Sequence, residues 1–107
     1  MILKLTIDDQ TYNIEVPEQL IEEARDFYAK MDQDMDRGWQ MSRFWVDEPD
    51  LYQRCQIVAD KLLTAMQKDD WQMAQLMCAY ILSKKPATRR ISLNIDGEIQ
   101  GNEFFDE

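Results

Sequence analysis

The chain has 107 residues, 45% apolar and 31% charged, which is the size and composition of one globular domain covering residues 1–107. Its net charge of −9 opposes contact with phosphate, so we expect no nucleic-acid partner, and no apolar run is long enough for a membrane span. Because histidine is absent and the three glycines form no phosphate-binding loop, we expect no catalytic residue, cofactor or metal site.

Alternating apolar residues predict a β-hairpin in the first part of the chain. One strand carries Leu3, Leu5 and Ile7, a turn follows at residues 8–10, and the alternation resumes over residues 12–16. Pro17 suits the first turn of a helix. Apolar residues at three- and four-residue spacing then predict an amphipathic helix of about five turns. We expect it to end or bend near Gly38; its apolar stripe is Leu20, Ala24, Phe27, Met31 and Met35.

Two further helices and a second β segment follow. Residues 47–50, Asp-Glu-Pro-Asp, are a strong helix start, and an apolar stripe with helical spacing follows them. A third helix runs from Trp71 towards Lys84 and stops before Pro86. Residues 91–95 alternate as in a strand, and residues 98–100 return as a short fourth strand after a turn.

These elements predict the α+β class. An N-terminal hairpin and a C-terminal strand or hairpin each need cover on one face, and the three helices between them each need somewhere to bury an apolar stripe. We therefore expect the strands to complete one antiparallel sheet, with the helices packed on one of its faces.

Three acidic residues resemble the beginning of a calcium-binding loop. Asp32, Asp34 and Asp36 alternate as ligands do in an EF-hand, but the sixth and twelfth positions, which require Gly and Glu, hold Arg37 and Arg43. The cluster is therefore interpreted as a solvated acidic face. A site for a cation or a basic partner is the alternative, because acidic neighbours near a helix end are locally unfavourable.

An aromatic and arginine-rich segment is the first candidate for a partner surface. Aromatic residues, Met and Arg are the types enriched where proteins bind each other most strongly. A small domain also needs large side chains to close its core, so a core plug is the other interpretation. The residues that we assign to the possible partner surface are Arg37, Trp39, Met41, Arg43, Phe44 and Trp45.

The third helix is the second candidate. Between Met73 and Leu82 only Gln75 is polar, so the helix is apolar on nearly every side. Either it is the central helix of the domain or a second subunit covers part of it. We interpret Leu76 and Met77 as part of an interface and predict a homodimer, because soluble monomers rarely expose a large apolar patch.

Residues 84–90 hold four of the twelve basic side chains. They either contact phosphate or an acidic partner, or they serve the end of the third helix and pair with surplus acids.

At residues 31–43, Met-Asp-Gln-Asp-Met-Asp-Arg-Gly-Trp-Gln-Met-Ser-Arg, the chain resembles small uncharacterised bacterial proteins of similar length. The resemblance extends less clearly through residues 53–57 and implies a bacterial cytoplasmic protein, without an activity. Two cysteines outside any C-x-x-C pair, with no secretory signal pattern, also favour a reduced cytoplasmic compartment.

We interpret the chain as a non-enzymatic protein–protein interaction module that forms a homodimer. One alternative is a small carboxylate-based enzyme or ligand-binding protein, with Mg²⁺ or Ca²⁺ near the acidic cluster. Another is an acidic decoy that imitates nucleic acid, which rests on the net charge alone.

Overall fold

The N-terminal hairpin forms as the alternation predicts. In the computed structural model, which describes residues 1–106, β1 (Ile2–Ile7) and β2 (Gln10–Glu15) pair antiparallel. The turn places Asp8 at a φ of 57°, a left-handed conformation that Asp tolerates better than most residues. Leu3 and Leu5 are fully buried, and Ile14, opposite Leu3, is buried with them.

Two more strands complete a four-stranded sheet in the order β2-β1-β5-β6. β5 (Arg90–Leu93) lies beside β1, and β6 (Glu103–Phe105) pairs antiparallel with β5. The α+β class, with an N-terminal hairpin, is confirmed. The sheet is mixed, however, because β5 runs parallel to β1. A parallel pair needs a long crossover connection, and the whole helical segment supplies it.

The last strand begins later than the sequence predicts. Residues 98–100 do not form a strand, and Ile99–Gly101 is a 3₁₀ turn. The side chain of Asn94 accepts hydrogen bonds from the backbone N–H groups of Asp96 and Glu98, which holds this stretch in a turn. β6 therefore starts only after the buried Asn102.

The first predicted helix is two helices, α1 (Glu18–Glu23) and α2 (Arg25–Asp36). Ala24 lies between them at φ −91° and ψ 15°, which breaks the apolar stripe into two faces. Tyr28 is buried after the break, whereas Phe27 is 38% exposed. The chain leaves α2 at Gly38, which has a φ of 99°, so the end predicted near this glycine is confirmed.

The residues between α2 and the next helix form a small second hairpin that the sequence analysis did not predict. β3 (Trp39–Met41) pairs with β4 (Phe44–Val46). Ser42, in the turn, donates a hydrogen bond to the carbonyl of Gly97 and accepts one from the N–H of Ile99. This hairpin is therefore fastened to the loop before β6.

Helices α3 (Leu51–Gln67) and α4 (Trp71–Lys84) start at capping carboxylates. Asp50 accepts a hydrogen bond from the N–H of Gln53, whose side chain bonds the N–H of Asp50 in return. Asp70 caps α4 through the N–H of Met73. Within residues 1–106, no helix combines the length and the apolarity needed to cross a bilayer.

α4 is the central helix. It contacts α1, α3 and β2, and Tyr80 meets Tyr28 of α2 edge to face, with 5.8 Å between the ring centres. Residues 77–82 are all buried, and the buried apolar side chains form one cluster. One chain therefore surrounds most of this helix, and its exposed apolar side chains, Trp71 and Met73, lie in its first turn.

We expect Asp50→Ala to lower the free energy of unfolding by about 1 kcal/mol, because it removes the carboxylate that accepts a hydrogen bond from the N–H of Gln53 in the α3 cap. Urea denaturation measures this difference. Glu48→Ala is the control: Glu48 is exposed and its side chain bonds no partner within residues 1–106, so the change should stay below about 0.5 kcal/mol. Equal losses in both variants would show that the cap does not stabilise α3.

Candidate interaction surfaces

The acidic cluster forms a junction between three helices. Asp32 Oδ1 accepts hydrogen bonds from the Tyr80 hydroxyl at 2.5 Å and from Arg54 at 3.3 Å, and its Oδ2 lies 2.9 Å from Lys84 Nζ. Arg54 also reaches Asp36 Oδ1 at 2.6 Å. We call these five residues the Asp32 junction; they join α2 to α3 and to α4.

The junction explains two of the three acidic residues without a metal. Burial raises the pKa of the Asp32 carboxyl, but hydrogen bonds from Tyr80 and Lys84, with the charge of Lys84, outweigh this and hold the pKa below its ordinary value. The carboxylates of Asp32 and Asp36 are thus already neutralised by cations of the same chain. Among residues 1–106, no three His, Cys, Asp or Glu side chains converge as metal ligands would.

The structure divides the predicted aromatic surface into a plug and an exposed part. Met41 is fully buried, so its assignment to a partner surface is wrong: it closes the core beneath the second hairpin. Trp39 is half-buried, and the ammonium of Lys61 lies 4.8 Å from the centre of its ring. The core-plug interpretation therefore holds for Met41, and a partner surface at the exposed residues of this segment stays a prediction.

The exposed part of this segment lies on β4. Phe44 is 64% exposed and Trp45 58% exposed, and Arg37 and Arg43 are also exposed. Trp45 lies against Gly38, where a Cβ atom would come within 2.5 Å of the indole, and its Nε1 donates to Asp47. Trp45 thus has a fixed position although much of its ring faces solvent.

The assignment of Met77 to an interface is also wrong in its simple form. Met77 is 2% exposed, so the chain itself buries it, and Leu76 is half-buried beside Leu20. The exposed apolar side chains of α4 are Trp71, 50% exposed, and Met73, 37% exposed. The periodicity of α4 located the apolar helix but could not show which of its faces the same chain covers.

An apolar groove lies between α2, α3 and α4. It has a volume of about 440 Å³ and is open to solvent. Met31 and Met77 form its floor, while Phe27 and Met73 stand at its margins, each more than a third exposed. We call it the methionine groove; its lining is Phe27, Lys30, Met31, Asp34, Asp60, Lys61, Thr64, Met73 and Met77.

The walls of the methionine groove carry charges of both signs. Lys30 and Asp34 come from α2, and Asp60 and Lys61 come from α3. Burial raises the pKa of Asp60, and the charge of Lys61 offsets only part of this. Within residues 1–106, no cation lies within salt-bridge distance of Asp60. Its carboxylate is partly desolvated without an ion pair.

The basic run at residues 84–90 is largely used within the chain. Lys84 belongs to the Asp32 junction, Lys85 lies over the ring of Tyr52, and Arg90 lies over the ring of Phe105. Arg89 donates to backbone carbonyls of its own loop. In the part of the chain that the structure describes, only Lys84 of these four pairs with an acid. The two arginines that we expected to pair with acids instead contact an aromatic ring (Arg90) and backbone carbonyls (Arg89).

We expect Asp32→Asn to lower the free energy of unfolding by about 2 kcal/mol at pH 7, because three charge-assisted hydrogen bonds of the junction are weakened. Asp34→Asn, in the same helix but outside the junction, is the control and should change stability by less than about 0.5 kcal/mol. Thermal or urea unfolding measures both differences.

The difference between the wild type and Asp32→Asn should depend on pH. The folded-state pKa of Asp32 lies below its ordinary 3.8, so its contribution to stability is complete above that pH. It is lost as the pH falls below 3.8 and through the lower folded-state value. A difference that stayed constant down to the acid-unfolding region would contradict the ionic role of Asp32.

In comparisons with known proteins, no family model, no curated protein and no solved structure matched this chain. The function is therefore inferred from the surfaces of the chain itself, above all from the methionine groove.

Proposed function

We propose that the protein is a non-enzymatic interaction module, that it forms a homodimer, and that its methionine groove binds an amphipathic helix of another protein. The observation that carries this proposal is the groove itself. Its floor is apolar, its walls are charged, and it lies between three helices, which is the arrangement used where a groove takes the apolar face of a helix.

The methionines support a helix as the occupant. Met31, Met73 and Met77 are unbranched and polarizable, so they adapt to apolar side chains spaced by three and four residues. Phe27 and Met73 are partly exposed at the margins of the groove. Only a bound partner lying in the groove would remove their apolar surface from water. A partner helix would cover both side chains and leave its own polar face in solvent.

Asp60 indicates the charge of that partner. A carboxylate whose pKa is raised by burial, and which has no ion pair within residues 1–106, gains most from a cation brought to it. We propose that the partner helix carries a Lys or Arg beside its apolar face. The net charge of −9 would also steer a basic segment towards this surface.

The contacts favour this reading over the carboxylate enzyme. Asp32 and Asp36 are engaged by Arg54, Tyr80 and Lys84, so neither is available as a base or a metal ligand without opening the junction. Burial raises the pKa of Cys55 to about 11 and that of Cys78 to about 12, which keeps both thiols protonated at neutral pH.

We propose the bacterial cytoplasm as the location of the protein. Cys55 and Cys78 are both unpaired and fully buried, which is typical of a chain that folds in a reducing compartment. The resemblance of residues 31–43 to small bacterial proteins supports the same location.

We expect a synthetic amphipathic peptide, with leucines at positions i, i+3, i+4 and i+7 and lysines on its other face, to bind the methionine groove. Fluorescence anisotropy at physiological salt measures the affinity. Met73→Glu should weaken binding about tenfold or more, since it places a charge at the apolar margin of the groove. A peptide of the same composition without helical periodicity should bind much more weakly.

Ile95→Glu is the matched control for this experiment. Ile95 is 49% exposed and lies outside the groove, so the variant adds the same charge at another exposed apolar position. If Met73→Glu and Ile95→Glu bind the peptide equally well, or if the two peptides bind alike, the peptide is held by charge alone and the groove is not its site.

We expect light scattering coupled to size exclusion to give a mass of about 26 kDa at micromolar concentration, twice the 12.8 kDa of one chain. A mass near 12.8 kDa across the accessible concentrations would contradict the homodimer and leave the groove proposal standing by itself.

A further inference from the structure

The outer edge of the sheet is formed by β2. The strand order places β2 outermost, with β1 on its inner side. Met1 N donates to Val16 O at 2.9 Å and Val16 N donates to Met1 O at 2.7 Å, so these two residues exchange both hydrogen bonds. Because such pairs alternate along an antiparallel ladder, the backbone groups of Thr11, Asn13 and Glu15 point away from β1.

Nearly all of these outward groups are unpaired. Within residues 1–106, only the carbonyl of Glu15 has a partner, the side chain of Gln75 at 2.9 Å. The N–H and carbonyl groups of Thr11 and Asn13 and the N–H of Glu15 bond no other residue of that range. We call this row the β2 edge.

The β2 edge lacks the devices that normally protect an edge strand. Residues 10–14, Gln-Thr-Tyr-Asn-Ile, contain neither a charge nor a proline, in a chain with 33 charged side chains, 21 acidic and 12 basic. The pairing with β1 continues without a bulge from one end of the strand to the other. An edge of this kind, whose one charged residue is Glu15 at its end, is a template for another strand.

We propose that a second copy of the chain adds to the β2 edge, antiparallel, about a two-fold axis beside Asn13. The two four-stranded sheets then form one continuous sheet of eight strands. This inference rests on the proposed homodimer and adds how it assembles. An identical strand fits because a two-fold interface must be complementary to itself, and the outward groups of this strand are evenly distributed donors and acceptors.

The side chains select the register centred on Asn13. Asn13 then exchanges two backbone hydrogen bonds with the partner's Asn13, and Thr11 faces the partner's Glu15. On the helix side of the sheet, Tyr12 faces the partner's Ile14, an aromatic and β-branched pair. A register centred on Tyr12 would instead bring Asp9 opposite the partner's Glu15, so like charges oppose it.

An apolar depression beside this edge supports the same partner. Tyr12 lines it together with Met66 and Trp71, and Trp71 is 50% exposed. A strand added next to Tyr12 would narrow the access of water to this depression. The first turn of α4, which the rest of the chain leaves exposed, would then lie close to the dimer interface.

A cysteine at the axis tests the register. In hydrogen-bonded antiparallel pairs the Cα atoms lie about 5.5 Å apart, within the range that a disulfide spans. We expect Asn13→Cys, oxidised at low concentration, to give mainly a covalent dimer on a non-reducing gel. Thr11→Cys is the matched control, in the same strand and equally exposed, but its copy would lie about 13 Å away along the strand. It should give far less covalent dimer.

Asn13→Pro tests the same edge without a crosslinking reaction. Proline removes an outward N–H that β1 does not use, so an edge strand tolerates it while a partner strand cannot pair there. We expect this variant to be a monomer by light scattering, with the circular dichroism of the wild type. If this variant unfolds, the comparison of Asn13→Cys with Thr11→Cys still tests whether the copies pair through the β2 edge.

The outcomes separate this inference from the homodimer on which it rests. A monomeric wild type would overturn both. A dimeric wild type whose Asn13→Cys variant crosslinks no better than Thr11→Cys would overturn the β2 edge alone, because the copies would then meet elsewhere. The native thiols do not interfere, since Cys55 and Cys78 are fully buried.

Discussion

The hydroxyl of Tyr80 sets the position of α2 relative to α4. Tyr80 is fully buried in the apolar middle of α4, and a buried hydroxyl without an acceptor costs about 1–3 kcal/mol. Asp32 of α2 supplies the acceptor, and Lys84 and Arg54 neutralise the carboxylate that this brings inside. α2 must therefore lie where Asp32 reaches Tyr80. In this position α2 also packs against α4.

The methionine groove follows from this placement. Tyr28, Asp32 and Met35 face inward from α2, while Phe27, Lys30 and Asp34, on the neighbouring face, line the groove. Because the Asp32 junction fixes one face of α2, the helix cannot rotate so that its neighbouring face packs on α3 and closes the methionine groove. The Asp32 junction thus contributes both to the covering of α4 and to the position of the open groove.

Local patterns predicted the elements well because their causes are local. The hairpin at residues 2–15, the start of α3 at residues 47–50 and the stop before Pro86 all depend on residues near one another in sequence. The break at Ala24 was not predictable in this way, since alanine favours a helix and only the packing of Tyr28 shows the change of direction.

Tertiary contacts decided the remainder. Met41 and Met77 have the composition of interface residues, yet the chain covers both, and the groove that does reach the surface draws its residues from three helices. Polar residues in the core were also invisible to hydrophobic periodicity. Asn102, 1% exposed, donates to the carbonyl of Gln56, and Gln56 donates to the carbonyl of Gln100, so two amides join α3 to the turn before β6.

The parallel pairing of β1 with β5 has a consequence for the growing chain. The 82 residues from 8 to 89 lie between these two strands, so at about 5–20 residues per second β1 waits roughly 4–16 s on the ribosome for its neighbour. During that time both strands of the nascent hairpin are edge strands with unpaired backbone groups, whereas in the finished sheet β5 pairs with β1 and only β2 of the two stays an edge. Any pairing between two nascent chains through the side that β5 later occupies would therefore have to be undone before either sheet is completed.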